Sequence, residues 1–296
     1  MLESLSFFYE IASGLLAELF AMALEFKMKI IFFGDIVGRP GREALAKIIS
    51  QLRKEFKPDL IVANGENLAH GKGITKKSFE EVIGAGVDLV TSGDHIWAQK
   101  EVIGLLEDKD IPLLRPANYP PSLPGNGYKI LEIGARRVLV INLMGRVFFN
   151  QNLDCPFRKA DEILEEFKER ADVVIVDFHA EATSEKKALG CYLDGRVSAI
   201  LGTHTHVPTS DGQILPEGTA YISDVGMVGV KNSILGAKKE VALHHFLTQM
   251  PFKYEIAEDN LVEADGVFIE IDTSTGKALK IENIQRLINY SDSGLS

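Results

Sequence analysis

The chain has 296 residues, 46% hydrophobic and 25% charged, enough to bury a large core as one soluble globular domain with room for a small subdomain. Its net charge of −10 and isoelectric point near 5.3 exclude a broad basic surface for duplex nucleic acid or membrane phosphates. Cys155 and Cys191 give neither a zinc knuckle nor a disulfide framework, so a reduced cytoplasmic setting is expected.

In chain order, residues 1–27 come first. Leu5, Phe8, Ile11, Leu15, Leu19, Met22 and Phe26 recur at helical spacing, and Glu3, Glu10, Glu18 and Glu25 interrupt any apolar span. This predicts an amphipathic helix and not a membrane span. Its one cation, Lys27, stands at the end, unlike a secretory signal. The segment is either an upstream start that the cell does not use or a helix that docks on the body or on a neighbouring subunit.

A body over 28–287 follows. Lys29–Phe33 reads as a strand running into Gly34-Asp35-Ile36-Val37-Gly38, with Arg39 and Arg42 just beyond. Asp59–Ala63 runs into Asn64-Gly65-Glu66-Asn67, and Asp88–Thr91 into Ser92-Gly93-Asp94-His95. Three strand ends thus each deliver a carboxylate beside glycine, which allows a tight turn and the approach of an ion or phosphate. Asp and Asn are also ordinary turn formers, and each end alone is open to that reading. The stretch Ala69-His70-Gly71-Lys72-Gly73 lacks Walker spacing; it reads as a phosphate cover, a lid or a simple loop, with His70 as an exposed loop residue or a substrate contact.

Arg115–Pro124 is a Pro-rich loop, and Tyr128–Ile133 with Arg137–Asn142 a hairpin-like pair. A helix is predicted over Arg158–Arg170, and strands over Val173–Val176 and Val197–Leu201. A helical pattern from Glu240 to Leu247 carries His244 and His245 as structural or surface residues. Segments Gly266–Ile271 and Ala278–Ile281 close a mixed sheet system, and 288–296 is a polar tail.

Three histidines sit at two of these strand ends, His179 after Asp172–Asp177, and His204 and His206 after Val197–Leu201. The carboxyl edge is where an α/β sheet presents its ligand site. Residues two apart share a face on a regular strand, and a loop past the strand end also lets both converge. Asp35, Glu66, Asn67, Asp94, His179, His204 and His206 together offer seven oxygen and nitrogen ligands. That exceeds one tetrahedral zinc and suits two ions about 3.5–4 Å apart that share a carboxylate. Without thiolate, the set suits iron, manganese or zinc and selects none.

The order Gly-Asp, Gly-Glu-Asn, Gly-Asp-His, His, Gly-Thr-His-Thr-His resembles that of the calcineurin-like metallophosphoesterases. Five segments are similar to the bacterial YmdB-type phosphodiesterases: Asn64 to Asn67, Arg115 to Tyr119, Asn142 to Phe148, Asp177 to Lys186, and Gly202 to Thr209. The resemblance covers about residues 28 to 287. It implies an α/β fold, a four-layer α/β/β/α sandwich of metallophosphoesterase type, with a dinuclear centre hydrolysing small cyclic nucleotides such as 2',3'-cAMP. It implies one ion on Asp35, Glu66, Asn67 and His206 and another on Glu66, Asp94, His179 and His204, bridged by Glu66. The family usually has Asn where this chain has Asp94; the carboxylate still ligates, but adds a negative charge beside the phosphate and removes an amide donor.

Two divalent ions would make hydroxide available from a shared water and neutralise phosphoryl charge. His95, next to a ligand and not needed as one, is the candidate general acid; its alternative is to orient Asp94. Other readings are a phosphomonoesterase on the same centre, or a metal-bound nucleotide-sensing or RNA-regulatory protein with little turnover. A homo-oligomer is expected, with neither duplex nucleic acid nor membrane as partner.

Overall fold

The computed structural model describes residues 26–251 and 253–290. The helix expected over 1–27 therefore lies outside the described residues except for Phe26 and Lys27, and Lys27 already belongs to the first strand. The carbonyl of Phe26 accepts the amide of Thr273 at 2.6 Å.

Two sheets stack face to face. In the first, β1 (Lys27–Phe33), β3 (Leu60–Asn64) and β4 (Leu89–Thr91) run parallel. A long antiparallel strand, β12 (Leu261–Asp272), pairs with β13 (Ala278–Asn289) along one edge. Its other edge is divided: Val262 to Ala264 pair with β11 (Met227–Val230), and Gly266 to Asp272 with β1. The short β2 (Asp35–Ile36) joins β11. The second sheet has the order β5 (Tyr128–Ile133), β6 (Arg136–Met144), β7 (Val173–His179), β8 (Ala199–Thr203), β10 (Ala220–Ile222) and β9 (Gln213–Ile214), with β6, β7, β8 and β10 parallel.

The alternation of side chains along a strand builds the layers. Ile31 and Phe33 of β1 face outward onto Leu45, Ile48 and Leu52 of α1 (Gly38–Phe56), in a core shared with α2 (Lys76–Gly84) and α3 (Val102–Glu107). Ile30 and Phe32 face inward, meeting Val138, Val140, Ile175 and Leu201 of the second sheet. Val176, Phe178 and Ile200 point the other way, onto Ile163 of α4 (Pro156–Glu166) and Leu189 and Leu193 of α5 (Thr183–Leu193). The result is the expected α/β/β/α sandwich. Among the described residues no helix is long and apolar enough to cross a membrane.

The structure adds the strands β2, β9, β10 and β11, too short to show a periodicity, and the helix α5, which the sequence pattern did not single out; the other differences concern ends. The helix expected from Arg158 begins at Pro156, whose fixed φ suits the first helical position, and stops at Glu166 because Phe167 leaves the helical region. Strands β12 and β13 are each twelve residues long. Polar residues on the exposed side of β13 hide its continuation to Asn289, two residues into the expected tail. The helix α6 (Lys239–Thr248) carries His244 and His245 near the surface, as expected.

Candidate metal centre

Four inward-facing rows of the parallel strands continue past their last apolar residue with a polar one. Leu60 and Val62 lead to Asn64, Val138 and Val140 to Asn142, Ala199 and Leu201 to Thr203, and Val173 and Ile175 to Asp177 and then His179. All five polar side chains have 0% exposure. They satisfy one another: Asn64 Nδ2 donates to Asp177 Oδ2 at 3.0 Å, Thr203 Oγ1 donates to Asp177 Oδ1 at 2.7 Å, and Asn142 Oδ1 accepts the amide of Ser92 at 3.0 Å. A polar layer therefore closes the core between the sheets, and the candidate centre rests on it.

Above it the predicted ligands converge from both sheets. His179 Nε2 stands 3.1 Å from Glu66 Oε2 and 3.3 Å from Asp94 Oδ1, and His204 Nδ1 stands 3.0 Å from His179 Nε2. One ligand atom from each of Glu66, Asp94, His179 and His204 lies within 4.8 Å of the others. Beside this group, His206 Nε2 is 3.7 Å from Asp35 Oδ1. Room is tight: a Cβ on Gly93 would stand 2.3 Å from His179 Nε2 and 2.4 Å from Glu66 Oε2. On Gly34 it would meet the carbonyl oxygen of Gly226 at 1.8 Å, so only glycine fits.

Hydrogen bonds on the far ring nitrogens choose the atoms that face the centre. Because Thr203 spends its proton on Asp177, its oxygen accepts from His179 Nδ1 at 2.9 Å, which turns Nε2 toward the centre. His204 gives its Nε2 proton to Glu181 at 3.0 Å, which leaves Nδ1 inward. His206 gives its Nδ1 proton to the carbonyl of Leu235 at 3.2 Å, which leaves Nε2. The two converge from a loop, not from one strand face, since their φ values of +94° and +62° are left-handed.

Two of the predicted ligand atoms, Asp35 Oδ1 and Asn67 Oδ1, are buried without a hydrogen-bond partner. An orphaned buried acceptor costs about 1–3 kcal/mol, and a cation would satisfy both. The Asn67 amide is oriented for this, since its Nδ2 donates to the carbonyl of Gly71 at 2.9 Å. The residues present therefore fit divalent ions.

Protonation follows the same logic. Burial raises the Asp35 carboxyl above its ordinary value, against the pull of His206 and His179. Burial also opposes ionisation of Glu66, but His179 and His95 outweigh it and hold Glu66 well below the usual range. Burial disfavours the His95 cation, yet its 3.1 Å bond from Nδ1 to Glu66 Oε1 and the charges of Glu66 and Asp94 raise its pKa overall. Burial lifts Asp177 to about 6.

Other candidates are spent elsewhere. Arg42 pairs with Glu81 at 2.6 Å and Arg39 with Glu43 at 3.0 Å, while His70 is exposed. Supporting residues that the motif reading passed over are Asp177, Thr203 and Glu181, already described, and the buried pair Lys186 and Asp224. Lys186 Nζ donates to Asp224 Oδ2 at 2.9 Å, and the same oxygen accepts the amide of Thr205 at 3.0 Å.

Carboxylates, an amide and imidazoles at the joined carboxyl edges of a four-layer α/β/β/α sandwich define a metallophosphoesterase. The solved structure of a novel phosphatase from Mycoplasma pneumoniae superposes with a TM-score of 0.83 at 36% identity, covering 90% of this chain and 97% of that one. The sequence pattern of the YmdB-like proteins matches residues 31–284, and the chain belongs to this family. It is 48% identical over 263 residues to the 2',3'-cyclic-nucleotide 2'-phosphodiesterase of Bacillus subtilis strain 168, covering 88% of this chain and 97% of that protein. A hypothetical protein from Thermus thermophilus has a TM-score of 0.81 at 44% identity, covering 88% of this chain and all of that one.

Proposed function

We propose that the protein is a metal-dependent phosphodiesterase that opens 2',3'-cyclic nucleotides such as 2',3'-cAMP. The observation that carries this is the pair of orphaned oxygens, Asp35 Oδ1 and Asn67 Oδ1, beside the cluster of Glu66, Asp94, His179 and His204. The activity named for the Bacillus subtilis relative supports the substrate class. Asp35, Glu66, Asn67 and His206 would hold one ion, and Glu66, Asp94, His179 and His204 the other, iron or manganese before zinc. Divalent ions there would supply an activated water and offset charge on the phosphoryl oxygens.

The chain's own residues do the rest. Glu66 Oε1 fixes the His95 ring by accepting from Nδ1, so the proton available to a leaving ribose oxygen is the one on Nε2. Asp94 Oδ2, 3.5 Å from that nitrogen, favours the protonated ring. Water adds to phosphorus and releases one proton to solvent, the P–O bond to the ribose oxygen breaks as that oxygen takes the His95 proton, and a nucleoside monophosphate results; His95 regains a proton from solvent. A reducing cytoplasm suits the unpaired Cys155 and Cys191, and the exposed Phe246 and Leu247 of α6 support a homo-oligomer.

Metal analysis with 2',3'-cAMP hydrolysis tests this on two variants. His204→Ala is expected to lose one ion and nearly all activity. His95→Gln keeps both ions and loses about 10²- to 10⁴-fold in kcat, the range for a lost acid. Full activity of metal-stripped protein, or a fully active His204→Ala, would overturn the reading.

A further inference from the structure

Beyond β6 the chain turns out beside the centre through Gly145, Arg146, Val147, Phe148 and Phe149. The root of this turn is clamped. Glu185, itself buried, accepts the amide of Arg146 at 3.0 Å on one carboxylate oxygen and 3.1 Å on the other, and that of Val147 at 3.1 Å. A Cβ on Gly145 would stand 2.6 Å from Glu185 Oε2.

The two phenylalanines then part. Phe149 folds inward, its ring centroid 4.9 Å from that of His204 and 6.4 Å from that of His179. Phe148 does the reverse: its side chain is 83% exposed and its φ is +67°. A left-handed backbone is unfavourable for a bulky residue, and an exposed ring recovers nothing from burial. Strain of this kind next to a site points to a ligand. Beside it, Arg146 is exposed, and its guanidinium makes no hydrogen bond or ion pair among the described residues.

We infer that Phe148 is the platform on which the base of the nucleotide stacks, one residue along the chain from the ring that covers His204. This rests on the phosphodiesterase reading and adds to it the part of the substrate that the metal ligands leave untouched. A phenyl ring offers a π face and no hydrogen-bonding group, so it accepts purines and pyrimidines alike. The free Arg146 keeps this rim attractive to an anion in a chain of net charge −10.

The test compares kcat and KM for 2',3'-cAMP with those for methyl ribofuranoside 2,3-cyclic phosphate, which lacks a base. Wild-type protein is expected to prefer the nucleotide about 5- to 100-fold, the usual worth of one stacked base. Phe148→Ala removes that preference through KM and leaves the base-free constants within about twofold, whereas Phe148→Trp keeps it. The thermal midpoint of Phe148→Ala stays level, since the exposed ring contributes little burial and alanine keeps the Cβ that the left-handed backbone disfavours. Equal losses on both substrates, a wild type without preference, or a lowered midpoint overturns the platform while leaving the phosphodiesterase reading intact. If the wild type hydrolyses neither compound, that reading falls and calorimetry with adenosine 2'-monophosphate decides the platform. Weaker binding by Phe148→Ala sustains it, and equal binding overturns it.

Discussion

Asp94 touches two parts of the site at once, with Oδ1 3.3 Å from His179 Nε2 and Oδ2 3.5 Å from His95 Nε2. Relative to the Asn that the family resemblance places there, it adds a negative charge where a phosphodiester must arrive. Asp94→Asn keeps an oxygen toward the ions and removes that charge. We expect KM for 2',3'-cAMP to fall and metal affinity to fall with it, each on the order of tenfold. Metal titration and steady-state kinetics on both proteins measure this; unchanged constants would mean that the carboxylate does not bear on the substrate. Asp265, outside the candidate ligand set, is a buried acid whose Oδ2 has no hydrogen-bond partner; burial and the neighbouring Glu263 push its pKa up to about 7. The unfolded value is about 4, so the folded protein binds more protons between about pH 4 and 7 and loses stability as pH rises through that window. Asp265→Asn is therefore expected to gain on the wild type as pH climbs from about 4 to 8, by no more than about 4 kcal/mol at 1.36 kcal/mol per unit. Denaturant titrations across that range check it, and a gain that shrinks with pH would contradict it.

At the scale of elements, the first turn of α5 governs two site loops. Glu185 holds the amides of Arg146 and Val147, and Lys186, with Asp224, grips Thr205 between the two left-handed histidines. The pair is almost dry, with side-chain exposures of 3% and 1%. Lys186→Met strands the Asp224 carboxylate, at a cost of about 3–5 kcal/mol. Metal affinity should fall about 10- to 100-fold, since the loop that aims His204 and His206 loosens. Adding Asp224→Leu removes the stranded charge but also the acceptor of the Thr205 and Gly226 amides, so stability should recover only in part and metal binding not at all; full recovery of both would make the pair merely structural. The carboxylates of the proposed set were legible in the sequence because each follows a strand that ends at glycine, as Gly65-Glu66 and Gly93-Asp94 do, and the histidines because they stand at the ends of apolar strands. Their supports were not. Asn64, Asp177 and Thr203 look like ordinary strand-end polar residues, and only the registers that turn all three into the space between the sheets, Asn64 from the first and the other two from the second, give them a common role. Carrying the period-two alternation two residues beyond Val62, Ile175 and Leu201 would have found them. Lys186 and Glu185 gave no such signal, since on a helix's first turn both read as solvent charges.

The whole molecule is organised around a seam. Each sheet contributes only part of the proposed ligand set: Asp35, Glu66, Asn67 and Asp94 come from the first, and His179, His204 and His206 from the second. Neither sheet offers the full proposed set, so ions at the seam would tie the two sheets together. Three carboxylates within this dry space repel one another, and a chain of net charge −10 also repels an anionic substrate. Divalent ions remove both penalties at once. Stripping the metal should therefore lower stability and substrate binding together, unlike the loss of an acid such as His95. An ion present at 100 times its dissociation constant contributes about 2.7 kcal/mol. In a domain of this size that is about 5 to 10 °C in thermal midpoint per site. Calorimetric scans of chelated and manganese-loaded protein, with adenosine 2'-monophosphate titrated into each, test the coupling. Equal midpoints, or equal nucleotide affinity with and without metal, would separate the seam from the ions and leave the orphaned oxygens of Asp35 and Asn67 without their explanation.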